Sequence, residues 1–239
     1  MTRRRFIADS WDHDTNTAIL TGDQASHLSR VLRAEPGQVF DVVAGGFLHR
    51  AEIFSVTDSQ VSFTLHEELE VDNPLPLHLL LAVFKFDRFE WAVEKATELG
   101  VTKITPILAR RTEKHLAQSA EKRVERWRRI ALEAAKQSRR SDVPTIHPPA
   151  TLKQAITAEQ APTRILLSET EQQQTLAAAL AAHSGTQIAL AIGPEGGWTS
   201  EEMALFTHHE WQHVTLGPRI LRAETAAIAA ISIASALLP

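Results

Sequence analysis

The chain reads as an α/β protein in two parts: a small β-barrel over residues 1–72 and a larger domain with a parallel-rich sheet over residues 73–239. Three observations point this way. Apolar and polar residues alternate at period two within roughly the first seventy positions. A proline-bearing stretch, Val71-Asp72-Asn73-Pro74-Leu75-Pro76, then breaks the pattern. Beyond it, short apolar runs alternate with segments of helical spacing.

In chain order, Ser26–Arg33 reads as a short helix ending near Pro36-Gly37. Gln38–Val43 and Gln60–Leu65 alternate as half-buried strands, and Phe47–Val56 is a third strand after the turn residues Gly45 and Gly46. The stretch 71–76 is a stiff linker, because an Asn-Pro step and a second proline exclude helix. Leu77–Val83 is an apolar strand. Phe89, Ala92, Val93, Ala96 and Leu99 share one face of a helix that Gly100 ends. Val101–Leu108 is the next strand. In the basic segment after Ser119, Val124, Trp127, Ala131 and Ala134 face inward. Strand Arg164–Leu167, helix Leu176–Ala182 and strand Gln187–Ile192 follow. Thr199-Ser200-Glu201-Glu202 is a capping-box start. Val214–Leu216 is a last short strand, and Ala223–Leu238 is a closing helix of Ala, Ile, Ser and Leu. Trp91 and Trp127 are expected in the core.

The composition narrows the chemistry. Cysteine is absent from the 239 residues, which excludes disulfides, thiolate metal sites and a thiolate nucleophile. No apolar run is long enough to span a bilayer, and Met1–Asp9 has no apolar segment behind its arginines, so a cytoplasmic protein is expected. The net charge is −4, yet the segment 119–140 is strongly basic and richer in arginine than lysine, as suits a polyanion. His208, His209 and His213 have only Glu210 nearby; a solvated helix end accounts for them, and no metal is required.

Ligands of open α/β sheets bind beyond the carboxyl ends of the strands. Three loops lie there: Leu167-Ser168-Glu169, Gly193-Pro194-Glu195-Gly196-Gly197-Trp198, and Gly217-Pro218-Arg219-Ile220-Leu221-Arg222-Ala223-Glu224-Thr225. The second is neither a dinucleotide fingerprint nor a triphosphate loop; alone, it reads as a tight strand-to-helix turn. In the third, Glu224 would offset a helix dipole and Arg222 would pair with it, a structural reading about as strong as a catalytic one.

Ile192–Trp198 followed by Leu216–Ala226 resembles the signature of the SPOUT methyltransferases, and within them is similar to the RsmE family of 16S rRNA uridine-N(3) methyltransferases. His27–Arg33, Glu90–Gly100 and Arg126–Ser138 resemble further elements of that family, so the likeness covers essentially the whole chain. Where the family often has an acidic residue before Gly45-Gly46, this chain has Ala44. The resemblance implies a PUA-like N-terminal domain, a C-terminal SPOUT domain with a trefoil knot, S-adenosyl-L-methionine as cofactor, 16S rRNA of the small ribosomal subunit as partner, and a homodimer. It implies cofactor contacts from Leu167, Ser168, Glu169, Ile192, Gly193, Pro194, Glu195, Gly196, Gly197, Leu216, Gly217, Ile220, Leu221 and Thr225.

Uracil N(3) carries a proton, so methylating it needs a base, which a carboxylate supplies, and a cation to stabilise the charged ring oxygens. Glu224 and Arg222 are the candidates. RNA contacts are expected from Arg3, Arg4, His27, Arg30, Arg33, Arg126, Arg129, Arg139 and Arg140. The loops alone leave open a transfer RNA or a ribose oxygen as target, and an assembly factor with a vestigial cofactor site.

Overall fold

The computed structural model describes residues 5–70, 76–181 and 187–238; Arg3, Arg4 and residues 71–75 of the expected linker lie outside them. The chain divides into two compact units, Met1–Asn73 with Ala135–Asp142, and Pro74–Ala134 with Val143–Pro239.

The first unit holds β1 (Arg5–Ile7), β2 (Ser10–Asp12), β3 (Thr17–Thr21), β4 (Val39–Ala44), β5 (Phe47–Val56) and β6 (Gln60–Glu68) in the order β1-β4-β5-β6-β3-β2. Only the β1–β4 pairing is parallel. The two end strands are joined by Ala8 and Asp9. The amide of Ala8 donates to Val43 O of β4 (2.8 Å) and that of Asp9 to Ile19 O of β3 (2.9 Å). This bent segment ties both ends of the sheet together, the arrangement that removes open edges from a barrel. Alternation puts Phe6, Leu20, Val42, Ile53, Phe63 and Leu65 inside.

The expected 26–33 helix starts earlier, as α1 (Gly22–Ser26), and continues as a π turn over His27–Val31. Ala25 and Leu28 enter the barrel core, which the exposed Val31 does not. Gly45 and Gly46, at φ 61° and 89°, form the two-residue turn between the paired Ala44 and Phe47. The Trp11 ring covers Gly45 so closely that a Cβ there would lie 2.4 Å from Cζ2. The glycine is therefore needed for both its backbone and its missing side chain.

The second unit is a sheet in the order β10-β8-β7-β12-β11-β13, with β9 joined to β8 and every pairing parallel. The strands are β7 (Leu77–Ala82), β8 (Lys103–Leu108), β9 (Thr145–Ile146), β10 (Ala150–Thr151), β11 (Thr163–Leu167), β12 (Ile188–Ile192) and β13 (Gln212–Val214). The helices are α2 (Phe86–Glu98), α3 (Lys114–Ser119), α4 (Val124–Ser138), α5 (Leu152–Ala158), α6 (Leu176–Ala181), α7 (Ser200–His208) and α8 (Ala223–Leu237).

Both faces of the sheet are covered, so its strands are apolar without alternation. Leu79, Leu81, Ile104, Ile165 and Leu190 pack with residues of α2, α4, α6 and α8. Leu80, Ile107, Leu166, Ala189 and Ala191 pack with α5 and α7. Helix α2 ends as expected: Gly100 takes φ 98° and the amides of Gly100 and Val101 donate to Thr97 O and Ala96 O, both at 3.1 Å. Trp127 is fully buried, but Trp91 is 45% exposed. It lies two residues from Phe89, about 200° around a helix, and so on the opposite side.

At the amino end of β7, His78 Nδ1 is hydrogen-bonded to buried Glu159, and His78 Nε2 lies 2.8 Å from Thr105 Oγ1. Glu159 also accepts from the amides of Gln160 (2.9 Å) and Ala161 (2.7 Å). Burial pushes its carboxyl up, but the His78 bond and charge, with the Ala161 amide, outweigh it and hold the group at about 2 against an ordinary 4.5. Burial pushes His78 down, against the opposing pull of Glu159. The folded value of the Glu159 carboxyl lies below the unfolded one, so the contribution to stability is present above pH 4.5 and is lost as pH falls toward 2. Glu159→Gln should therefore flatten the fall of the denaturation midpoint between those pH values, read by urea titration at a series of pH values. An unchanged acid limb would show that the pair has no such role.

Candidate functional site

Three parallel strands end side by side. The pairs Leu166↔Ala191 and Leu167↔Val214 fix β12 and β13 on either side of β11. Just past the last pair, the Ser168 amide donates to Val214 O at 2.9 Å. The loops leaving these strands surround a cavity of about 930 Å³, within the usual range for a small-molecule site.

The first loop contributes Leu167, Ser168 and Glu169 to the wall, continuing through Thr170, Glu171, Gln172 and Thr175. Ser168 Oγ lies 2.9 Å from Thr170 Oγ1 and accepts from the Thr170 amide at 3.3 Å. The Glu171 carboxylate accepts from the amides of Gln174, Gln173 and Gln172 at 3.0, 2.8 and 3.0 Å. These bonds hold its carboxyl below the usual range.

The second loop contributes Ile192, Gly193, Pro194, Glu195, Gly197 and Trp198. The Gly197 amide donates to Pro194 O at 2.8 Å, closing a turn, and Gly197 has φ 70°. At Gly193 the requirement is space: a Cβ would lie 3.0 Å from Trp198 Nε1. The Trp198 ring is in turn held edge-on by Phe206, with centroids 5.0 Å apart. The far side of the loop is pinned by β8's outgoing segment. Arg111 Nη1 donates to Gly196 O at 2.5 Å, and the Arg110 amide donates to Glu202 Oε1 at 2.8 Å. Glu202 completes the expected capping box of α7, accepting from the Thr199 amide at 2.8 Å.

The third loop contributes Leu216, Gly217, Pro218, Arg219, Ile220, Leu221 and Arg222. Gly217 takes φ 112°, where its amide donates to Thr215 Oγ1 at 3.1 Å. Ile220 is 85% exposed, a large apolar side chain left at the cavity wall.

Two of the expected cofactor residues do not line the cavity: Gly196, whose missing side chain faces Arg111, and Thr225, exposed on α8. Arg222 is exposed and lines the cavity, and among the described residues no carboxylate lies within ion-pair distance of it. Glu224 is only 5% exposed and does not line the cavity, though its helix neighbours Ala223 and Ala226 do. Its Oε2 has no hydrogen-bond partner among the described residues. Its Oε1 lies 3.7 Å from Arg88 Nε, and Arg88 Nη1 donates to Glu195 Oε1 at 2.7 Å.

Arg88 was missed from the sequence. The signal was its place at the start of α2, just beyond the carboxyl end of β7, a fourth strand end at the same edge. Trp198 and Met203 also line the cavity without having been expected there.

The expected RNA contacts are dispersed. In the first unit His27 opens the π turn, Arg30 pairs with Asp58 at 3.3 Å, and Arg33 has φ 49°. Arg139 is exposed, while Arg140 is buried with its fork on Asp142 (3.1 and 2.5 Å). In the second unit Arg126 is forked onto Glu90 at 2.7 and 2.7 Å, which raises its pKa. Arg129 is exposed with no ion pair among the described residues. The basic segment thus meets part of its charge internally, and composition overstated what it offers a polyanion. Among the described residues no cluster of three His, Asp or Glu could hold a metal, and no helix is long and apolar enough to cross a membrane.

Residues 71–235 match the family model of an RNA methyltransferase domain, and residues 20–65 that of an RNA methyltransferase PUA domain. Over 228 residues the chain is 39% identical to ribosomal RNA small subunit methyltransferase E of Synechocystis, covering 93% of this chain and 74% of that one. A crystal structure of ribosomal RNA small subunit methyltransferase E from Neisseria gonorrhoeae bound to S-adenosyl methionine superposes with a TM-score of 0.82 at 30% identity, over 99% of this chain and 98% of that one. A methyltransferase from Legionella pneumophila in complex with the bound cofactor SAM gives 0.80 at 30% identity, over the same shares.

The contact between Gly193 and Trp198 is open to a direct test. Gly193→Ala should push the indole against Phe206, costing about 1–3 kcal/mol, the usual range for an overpacked core. Urea denaturation and the near-ultraviolet circular dichroism of the tryptophans would report it. A variant with unaltered stability and spectrum would mean that the ring has room to move.

Proposed function

We propose that this chain, which belongs to the ribosomal RNA small subunit methyltransferase E family, methylates N(3) of a single uridine in the decoding region of 16S rRNA. Family membership makes it an S-adenosylmethionine-dependent rRNA methyltransferase. The uracil nitrogen as target rests on one observation: a buried carboxylate with an unpartnered oxygen, beside an exposed arginine, at the head of the helix that borders the cavity.

The residues present fit the cofactor. The cavity is large enough for a nucleoside with an amino-acid tail. Leu167, Ile192, Leu216 and Ile220 offer apolar contact to an adenine. Gly197 and Gly217, both at positive φ, let the two loops turn tightly and put no side chain between backbone and ligand. Glu169 and Glu195 face the cavity as acceptors for ammonium or ribose hydroxyls. Held there, S-adenosylmethionine would supply an electrophilic methyl, its sulfur being the leaving group that keeps the electron pair. Glu224, set behind Ala223 and Ala226 with Oε2 unpartnered, would be the acceptor for the uracil imide proton, leaving a lone pair on N(3) free to form the new nitrogen–carbon bond. Arg222 reaches from the rim to the ring oxygens that carry the charge. Glu224 then gives its proton to solvent as the product leaves.

The chain's return from β13 through residues 215–222 to α8, which packs on α2, is read as the threading of a trefoil knot. The exposed or half-buried residues Ile228, Ala229, Ser232, Ile233 and Leu237 are read as the face that meets a second copy. Arg129 and Arg139, exposed and without carboxylate partners among the described residues, are read as the phosphate contacts of the basic segment. A base inside folded RNA must be unstacked, at roughly a few kcal/mol, so the assembled subunit should be preferred over a short oligonucleotide.

The test is to treat small subunits from cells lacking this enzyme with the protein and labelled cofactor, then digest the RNA and identify the labelled nucleoside by mass spectrometry. N(3)-methyluridine is expected. A methylated ribose, a methyl on a uracil carbon, or label only in transfer RNA would overturn the reading. Arg222→Ala should lower the single-turnover rate about 100-fold, as loss of one charge-stabilising donor does, while cofactor affinity by calorimetry stays within about threefold. A rate unchanged by the substitution would return Arg222 to a structural role.

A further inference from the structure

Arg88 stands in the first turn of α2, on neither of the loops that the cofactor motifs supply. Its guanidinium serves two carboxylates from two different loops. Nη1 donates to Glu195 Oε1 in the glycine loop at 2.7 Å, and Nε lies 3.7 Å from Glu224 Oε1 at the head of α8. Glu224 is buried and Oε2 has no partner among the described residues. An ionised carboxylate in such a place needs a cation, and among the described residues Arg88 is the one within 4.0 Å of it. The contact is one-sided: it engages Oε1 and leaves Oε2 uncommitted.

We propose that Arg88 is a positioning residue for Glu224, turning Oε1 toward its own guanidinium so that the buried Oε2 is left uncommitted to take a proton, and tying that carboxylate to the glycine loop of the cavity through Glu195. This rests on the reading of Glu224 as the proton acceptor. Arg88 itself moves no proton; it acts through Glu224, so its removal should have no effect on catalysis once Glu224 has lost its function.

The experiment is a double-mutant cycle of Arg88→Met and Glu224→Gln, with Arg88→Lys as the conservative variant. Three quantities are read for each protein: the single-turnover rate on unmodified small subunits, the cofactor Kd by calorimetry, and the thermal midpoint. Arg88→Met should lower the rate about 100-fold with the Kd within about threefold. Arg88→Lys should recover about tenfold of that loss, since it restores charge without the fork. The double variant should be no slower than Glu224→Gln alone. Arg88→Met should also lower the midpoint by a few degrees in the wild-type background but not in Glu224→Gln, where no buried charge is left unpaired.

Rate losses that multiply in the double variant would show Arg88 acting independently of Glu224 and would overturn the proposal. A Kd raised as much as the rate falls would overturn it too, making Arg88 a cofactor-holding residue. If the wild-type protein itself transfers no methyl to the subunits, the functional reading fails, and the midpoints then decide the tie alone: additive losses overturn it and non-additive losses sustain it.

Discussion

The site depends on the parallel register of β11, β12 and β13. These strands are locked by backbone bonds within the most buried part of the sheet, where Ile165, Leu166 and the whole of β12 are almost without exposure. Because they run in one direction, their carboxyl ends meet at one edge, and so do the loops that follow. A one-residue slip of β12 would exchange Leu190 and Ile192, which face α8's side, with Ala189 and Ala191, which face α5 and α7. The large and small residues on opposite faces therefore fix where Gly193 begins. The β13 pairing continues as an isolated bridge between Thr175 and Thr215, which carries the alignment past the strand ends and into the cavity wall.

Much of this was readable before the structure. Period-two alternation located β4 and β6, and helical spacing located α2 and α4, because in each case burial of one face dominates the local sequence; β5 was marked by the turn glycines before it and α8 by its run of Ala, Ile, Ser and Leu. What was missed has a common physical cause. Strands β1, β2 and β3 are short, and two of them are partly or wholly exposed, so little periodicity marks them; their partners are set by closure of the barrel, which is not a local property. The strand β13 was placed two residues late because Val214 and Leu216, which pack with the core, carry the apolar signal, while Gln212 and His213 at its start carry none. Helix α5 is the exception, since Thr151 and Gln154 form a capping box whose spacing is plain in the sequence.

The site was legible to different depths. Two of the loops were found because glycine and proline are local signals, and Leu167-Ser168-Glu169 because it follows the carboxyl end of a strand. The partner of Glu224 was not, since Arg88 lies 136 positions earlier, a separation obtained as 224 − 88 and bridged only by the folding of α8 onto α2. Equally, no sequence pattern distinguishes Arg126 and Arg140, whose charges are answered by Glu90 and Asp142, from Arg129, which has no ion pair among the described residues. Composition counts charges; only the fold shows which are already spent on the protein itself.

The closing helix shows how these levels join. Its alanines suggest a surface made for close approach, and part of that approach is internal. Ala223, Ala227, Ala230, Ile231 and Ala234 form the buried stripe, and α8 packs along α2 and α6. Small side chains let two helix axes come near the lower end of the usual 8–10 Å spacing. That closeness reaches the first turn, where Glu224 Oε1 lies 3.7 Å from Arg88 Nε of α2 and Oε2 is unpartnered among the described residues. A longer residue at 227, one turn below Glu224 on the same face, would hold the helices apart at the point where the carboxylate depends on the guanidinium. The apolar composition of α8 is thus part of the electrostatics of the site: it sets the distance over which a buried charge is balanced.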